Sequence, residues 1–179
     1  MIVVYDKSTR QIVGHCGTIV DSGRSREATV AELFPDRDPS TLDAVYLKDD
    51  PRFLITGVES YRLAQDQNGI VTGIEHVPRI NLSCDAKDTD DDGIADIPAK
   101  ADSSTTVTAA VGSPNVAVTF RTTQGTLSSR SATSDSSGKA TVTLRASTET
   151  VLAIVTATAP SYLAGTLSVE FRPASGLFG

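Results

Sequence analysis

Alternation of apolar and polar residues is clearest in the second half of the chain. Five short segments carry Val, Leu, Ala or Phe at every second position, with Gly, Pro and Ser between one segment and the next. A period of two is typical of β-strands that bury one face, and several such strands predict two sheets packed face to face. The segments are Thr106–Val111, Asn115–Phe120, Lys139–Leu144, Val151–Ala157 and Gly165–Phe171.

The first half mixes strand and helix patterns. Residues from Arg26 to Phe34 have helical spacing behind Ser25, a residue type that caps helices, and Pro35 ends the pattern. Asn68-Gly69 is a strong hairpin-turn signal. The predicted strands come in three pairs joined by polar turns: Ile2–Tyr5 with Gln11–His15, Asp43–Leu47 with Arg52–Ile55, and Ser60–Ala64 with Gly69–His76.

The composition changes after Pro78 to Ser, Thr, Ala and Val, which places a domain boundary there. We therefore expect a mainly β chain with a small α+β domain at residues 1–78 and a β-sandwich at residues 79–179. Hydrophobic residues make up 39% of the chain and aromatic residues 5%, without Trp, so the cores must be built from small aliphatic side chains.

Charge and cysteine usage exclude several classes of protein. The net charge of −6 opposes binding to a phosphate backbone, so no nucleic-acid partner is expected. The start, Met1 to Asp6, does not resemble a secretory signal, and no apolar stretch is long enough to insert into a membrane. Cys16 and Cys84 fall in different predicted domains and are expected to be free thiols.

Two phrases in the second half carry a family resemblance. Thr119-Phe-x-Thr-x-x-Gly-Thr-Leu127 and Ser134-Asp-x-x-Gly-Lys-Ala-Thr-Val142 resemble the bacterial Ig-like domains of invasins and intimins, which are also found in phage virion proteins. The resemblance covers residues 79–173 and implies an Ig-like sandwich used as a spacer, a decoration or an adhesive tip. The chain departs from the family pattern by an inserted acidic loop at residues 85–98.

The acidic loop is the most specific chemical motif in the sequence. It places Asp88, Asp90 and Asp92 at alternate positions, followed by the Ile94 carbonyl and Asp96. Carboxylates around one point suit Ca²⁺, which takes six to eight oxygen ligands. These five residues are the predicted metal ligands, and the ion would be structural, bracing the connection between the halves. Against this, Ala99 stands where an EF-hand has its bidentate Glu, and a solvated acidic linker is the alternative.

Catalytic arrangements are not evident. His15 and Cys16 are neighbours on a predicted strand, so their side chains point to opposite faces, and His76 is isolated near the boundary. No zinc-ligand spacing, nucleophile elbow or phosphate loop appears. We expect a non-enzymatic protein.

The function predicted from these features is a structural protein of a phage virion or tail-like assembly. The N-terminal domain would dock into the particle, in the virion assembled in the host cytoplasm, and the Ig-like domain would decorate the capsid, tail or fibre. Expected partners are other virion proteins and copies of itself, with host-surface glycans a further option. The alternative is an adhesion or carbohydrate-binding module at a bacterial cell surface. An accessory domain of an enzyme complex is a third reading.

Overall fold

The structure is a computed structural model that describes residues 1–16, 18–21, 24–27, 29–47 and 58–173, and for residues 18–21, 24–27 and Val58 it describes the backbone alone. Strands dominate, so the prediction of a mainly β chain is confirmed. The chain divides into two units, Met1–Val77 and Pro78–Gly179, and each is described by itself.

The first unit is built on a three-stranded antiparallel sheet in the order β2-β1-β5, with Ile2, Val4 and Leu42 at the centre of its core. The predicted opening hairpin is confirmed, because β1 pairs with β2. A second hairpin, β6–β7, surrounds the Asn68-Gly69 turn as predicted. The strands of this unit are β1 (Ile2–Asp6), β2 (Ile12–Cys16), β3 (Thr18–Asp21), β4 (Arg24–Glu27), β5 (Leu42–Tyr46), β6 (Tyr61–Gln65) and β7 (Val71–His76).

The predicted helix over residues 26–34 is wrong in its start. The helix α1 spans Val30–Leu33 and is capped by Thr29, whose hydroxyl accepts from the Glu32 N–H while the Glu32 carboxylate accepts from the Thr29 N–H. Such a capping box fixes a helix start, and it overrides Ser25 as the cap. Of the residues predicted to begin the helix, Arg26 and Glu27 belong instead to β4, which pairs with β3. Short 3₁₀ turns occur at Pro39–Thr41 and Val58–Ser60, and the predicted strand at residues 52–55 lies outside the described residues.

The second unit is a sandwich of two sheets. A four-stranded antiparallel sheet in the order β12-β14-β10-β8 faces a five-stranded sheet in the order β13-β11-β15-β16-β9. All five strands predicted from alternation are present, at β10, β11, β14, β15 and β16. The strands are β8 (Asn81–Cys84), β9 (Ala95–Pro98), β10 (Ser104–Ala110), β11 (Ala117–Thr122), β12 (Thr126–Leu127), β13 (Ser131–Thr133), β14 (Lys139–Arg145), β15 (Val151–Thr158) and β16 (Gly165–Arg172).

The core of the sandwich is filled by the inward residues of both sheets. Phe120 and Phe171 are its largest fully buried side chains, and Val or Ala residues surround them. A Val- and Ala-rich core with only two large rings agrees with the small aliphatic core expected from the composition. The fully buried members are Ile80, Val107, Ala109, Val118, Phe120, Ala140, Leu144, Ala153, Val155, Ala157, Val169 and Phe171.

The predicted acidic loop, residues 85–98, is not a loop throughout. Its last four residues form β9, which runs parallel to β16 at the edge of the five-stranded sheet. Ile97 is 5% exposed and belongs to the core, which explains why this segment becomes a strand. The irregular part of the insertion is therefore shorter than predicted, and it ends inside the sheet.

Candidate functional site

The acidic loop begins with an anchor to the neighbouring strand β10. The buried Thr105 hydroxyl donates a hydrogen bond to Asp85 Oδ1 at 2.6 Å and accepts one from the Ala86 N–H at 3.1 Å. The Thr106 N–H also donates to Asp85 Oδ1, at 2.8 Å. These bonds, the one from Thr105 foremost, lower the pKa of Asp85. The start of the loop is therefore fixed to the sandwich.

Inside the loop, carboxylates hold the backbone in tight turns. Asp88 Oδ2 accepts from the Gly93 N–H at 2.7 Å, and Asp92 Oδ1 accepts from the Ile94 N–H at 2.8 Å. Gly93 has a φ of +87°, a left-handed conformation that glycine adopts without steric cost. The Gly93 N–H also lowers the pKa of Asp88. The Asp-rich pattern thus specifies the shape of the loop as well as its charge.

Asp96 closes the loop from β9. Its Oδ2 accepts hydrogen bonds from both the N–H and the hydroxyl of Thr89, and its own N–H donates to the Lys87 carbonyl at 2.8 Å. The Asp96 side chain is 4% exposed. The bond from the Thr89 hydroxyl is the main reason that the pKa of Asp96 lies below its ordinary value. Asp96 is therefore held as a buried, charged carboxylate.

Arg172, at the end of β16, brings the positive charge that this carboxylate needs. Its Nε lies 2.9 Å from Asp96 Oδ1, its Nη2 contacts Asp90 Oδ2, and Nη2 also lies 2.9 Å from Glu170 Oε2. The bonds to Asp90 and Glu170 raise the pKa of the guanidinium above its usual range. A buried carboxylate is costly unless it is paired and hydrogen-bonded, and Asp96 is both.

Three of the five predicted metal ligands come together. Asp88, Asp90 and Asp96 each offer a carboxylate oxygen, and these oxygens lie within 4.8 Å of one another. A Ca²⁺ ion binds oxygens at about 2.3–2.6 Å, so the oxygens in its shell lie up to about 5 Å apart, and the three carboxylates fit that limit. A cavity of about 370 Å³ beside Asp96 and Arg172 leaves room for water ligands.

The other two predicted ligands are placed differently. Asp92 turns one oxygen to the Ile94 N–H, and its other oxygen lies 3.9 Å from Arg172 Nη2. A role for the Ile94 carbonyl stays a prediction. Arg172 contacts two of the three converging carboxylates, so an ion would have to share them with the guanidinium or displace it.

Arg172 and Thr105 belong to the site, and no local sequence pattern identifies either of them. Arg172 is 76 residues beyond Asp96 in the chain and meets it because β16 and β9 are parallel neighbours. The alternation in β16 does place Arg172 on the outward face, but it does not identify the partner. Thr105 occupies an inward position of β10 that is otherwise typical of an apolar residue.

The histidines and cysteines form no catalytic arrangement among the described residues. Cys16 packs against the core of the first unit, and His76 makes an edge contact with the Tyr61 ring, with 5.2 Å between ring centroids. Cys16 and Cys84 are both free thiols, as predicted. No helix among the described residues is long and apolar enough to cross a membrane.

No protein-family model and no curated protein matches the sequence. Among solved structures, the chain is similar to a C-terminal fragment of intimin in complex with the intimin-binding domain of the translocated intimin receptor. The identity is 28% and the TM-score 0.43, over 51% of this chain and 32% of that one. The D0–D1 domain of intimin is 29% identical with a TM-score of 0.44, over 52% of this chain and 49% of that one.

The D00–D0 domain of intimin is 20% identical with a TM-score of 0.45, over 96% of this chain and 84% of that one. The match spans less than half the length of the first two intimin chains. All three TM-scores lie below 0.5 and support no conclusion about function.

Proposed function

We propose that this chain is a non-enzymatic structural protein of a phage virion or tail-like assembly that displays an Ig-like domain. The observation that carries the proposal is the use of the polar residues in the acidic loop. Asp85 accepts hydrogen bonds that fix the start of the loop to the sandwich. Asp88, Asp92 and Asp96 accept hydrogen bonds from the loop's own backbone and hold it in one conformation. These hydrogen bonds keep an exposed surface of the domain in one conformation. A domain that is displayed to a partner requires such a fixed surface.

A bacterial surface adhesion or carbohydrate-binding module is the second candidate. The specific observation in its favour is the pair of sequence phrases, Thr119–Leu127 and Ser134–Val142, that resemble the Ig-like domains of invasins and intimins. In both candidates the sandwich presents a surface to a partner. They differ in the body to which the sandwich is attached, a phage particle or a bacterial cell.

The experiment that separates them is localisation in the strain that encodes the chain. Quantitative mass spectrometry of gradient-purified particles should find the chain at a fixed ratio to the major coat or tail protein, and immunogold labelling should decorate the particles. A periplasmic protein serves as the contamination control. A chain that is absent from particles but labelled on intact cells would refute the virion proposal and support the adhesion module.

We further propose that the acidic loop binds Ca²⁺ through Asp88, Asp90 and Asp96, with Asp92 and Ile94 as the remaining predicted ligands. Calorimetric titration with CaCl₂ should give a saturable heat that EGTA abolishes, with MgCl₂ as the control. Because the guanidinium and the ion compete for the same oxygens, Arg172→Met should raise the affinity for Ca²⁺ and Asp96→Asn should lower it. No heat at millimolar Ca²⁺ in either the native chain or Arg172→Met would leave the guanidinium as the sole cation of the loop.

A further inference from the structure

The sandwich has a groove at the edge of the five-stranded sheet opposite β9. The chain leaves this sheet at the end of β11, contributes β12 to the other sheet, and returns at β13. The groove formed there has a volume of about 560 Å³, which is within the range of about 300–1,000 Å³ typical of ligand sites. Its lining residues are Thr119, Phe120, Arg121, Thr122, Gly125, Thr126, Leu127 and Arg130.

The groove is positively charged although the chain as a whole carries −6. Arg121 and Arg130 are exposed, and the lining contains no carboxylate. Neither guanidinium has a hydrogen bond or ion pair with the described residues. Other arginines of this unit are engaged: Arg172 pairs with carboxylates, and Arg79 Nη1 donates to the Ala164 carbonyl at 3.1 Å. Arg121 and Arg130 thus remain available to an external anion.

The complementary charge lies on the opposite edge of the same sheet. The acidic loop leads into β9, which is four strands away from β13. At a strand spacing of about 4.8 Å the two edges are roughly 19 Å apart, so the loop cannot reach the groove of its own sandwich. Asp90 is 40% exposed at its side chain; its Oδ2 contacts Arg172, whereas its Oδ1 has no hydrogen bond or ion pair with the described residues. Asp91, at the tip of the loop with a φ of +61°, is exposed as well.

We propose that the groove binds the acidic loop of a second copy of this chain, with Arg121 and Arg130 receiving Asp90 and Asp91. This inference rests on the proposed function, because a multi-copy assembly requires contacts between copies. Guanidinium and carboxylate groups form paired, charge-assisted hydrogen bonds, and an acidic edge meeting a basic edge joins copies head to tail. The contact deepens the proposal by naming the surface and the partner.

Two observations argue against other kinds of occupant. The edge strands beside the groove are short, with two residues in β12 and three in β13, so a partner that adds a β-strand finds little backbone to pair with and side chains must carry the contact. The single aromatic residue of the lining, Phe120, is fully buried and offers no ring on which a sugar could stack.

The test is sedimentation velocity of the full chain in EGTA, at 20 mM and at 500 mM NaCl. Two matched double variants disable one partner each: Arg121→Gln with Arg130→Gln in the groove, and Asp90→Asn with Asp91→Asn in the loop. We expect the native chain to associate with rising concentration at low salt and to dissociate at high salt, since salt screens exposed charges. Each variant alone should associate roughly tenfold more weakly.

Mixing the two variants gives the sharpest result. The groove variant keeps an intact loop and the loop variant an intact groove, so an equimolar mixture should form a one-to-one complex roughly tenfold more tightly than either variant associates with itself. A native chain that stays monomeric at low salt, or a mixture that stays monomeric, overturns the proposal. Binding of a heparin fragment that the groove variant loses, with no self-association, would assign the groove to acidic glycans and also overturn it. Neither outcome bears on whether the chain is found in particles.

Discussion

The anchor between Thr105 and Asp85 gives the strongest test of how the acidic loop is held. Thr105 is 2% exposed, and its hydroxyl is both a donor to Asp85 and an acceptor from the Ala86 N–H. Thr105→Val keeps the shape of the side chain and removes both bonds. Asp85 keeps the bond from the Thr106 N–H, whereas the partly buried Ala86 N–H loses its partner.

The cost follows from these contacts. A hydrogen bond to a charged group contributes about 1.5–3 kcal/mol, and a buried donor left unpaired costs about 1–3 kcal/mol. The lower end of each range applies because Asp85 is exposed and Ala86 is only partly buried. The methyl group that Val adds in place of the hydroxyl offsets about 0.8 kcal/mol of this cost. The expected destabilisation is about 2 kcal/mol, which for a unit of about 100 residues lowers the melting temperature by roughly 8–16 °C.

The assay is urea unfolding of the full chain followed by far-UV circular dichroism, with amide exchange as the local readout. Thr108→Val is the matched control, because Thr108 lies on the outward face of the same strand and its hydroxyl has no hydrogen bond with the described residues. The control should change the free energy of unfolding by less than about 0.5 kcal/mol. Equal effects of the two substitutions, or unchanged exchange of the Ala86 amide in Thr105→Val, would refute the anchoring role.

Two further predictions concern packing and pH. Gly165→Ala would drive a Cβ into the Ile80 carbonyl oxygen, a backbone atom that cannot move aside, so we expect overpacking to cost about 2–3 kcal/mol. Gly112→Ala has a φ of +75° but open space around the new Cβ and should cost about 1 kcal/mol. Equal losses of stability in the two variants would contradict the packing argument. The pKa values of Asp85, Asp88 and Asp96 in the folded chain lie below the ordinary 3.8, so the unfolded chain binds more protons near that pH. The stability that these carboxylates contribute is therefore fully present above about pH 4 and is lost as the pH falls from 3.8 through their lower folded-state pKa values. Acid titration by circular dichroism should show this loss, and an Asp85→Asn chain with the same acid midpoint as the native chain would contradict it.

The sequence predicts the parts of the fold that depend on local pattern. Alternation identifies five sandwich strands, and Asn68-Gly69 identifies a hairpin, because both signals lie within a few residues. β9 could not be predicted, since its four residues become a strand by pairing with β16, far along the chain. The start of α1 was predictable in principle, because Thr29 and Glu32 have the spacing of a capping box.

The candidate site shows the same division. The Asp spacing predicts a loop of converging carboxylates, and three of them do converge. Their cation in the structure is Arg172, which no local motif links to the loop. A cluster of like charges in the sequence indicates that a counter-charge is needed. Whether a residue of the same chain provides that charge depends on which strands are neighbours in the sheet.

The carboxylates of the acidic loop have two different roles, one in stability and one in self-association. The Asp96 side chain is 4% exposed and paired with Arg172. The Asp91 side chain is exposed and has no hydrogen bond or ion pair with the described residues. Asp96→Asn should therefore lower the melting temperature by removing the charge that balances the guanidinium, and Asp91→Asn should leave the melting temperature unchanged while weakening self-association at low salt. Melting curves and sedimentation of the two single variants compare both properties in the same buffer. If Asp91→Asn destabilised the fold as much as Asp96→Asn does, Asp91 would contribute to the stability of the loop and would not be an exposed contact residue.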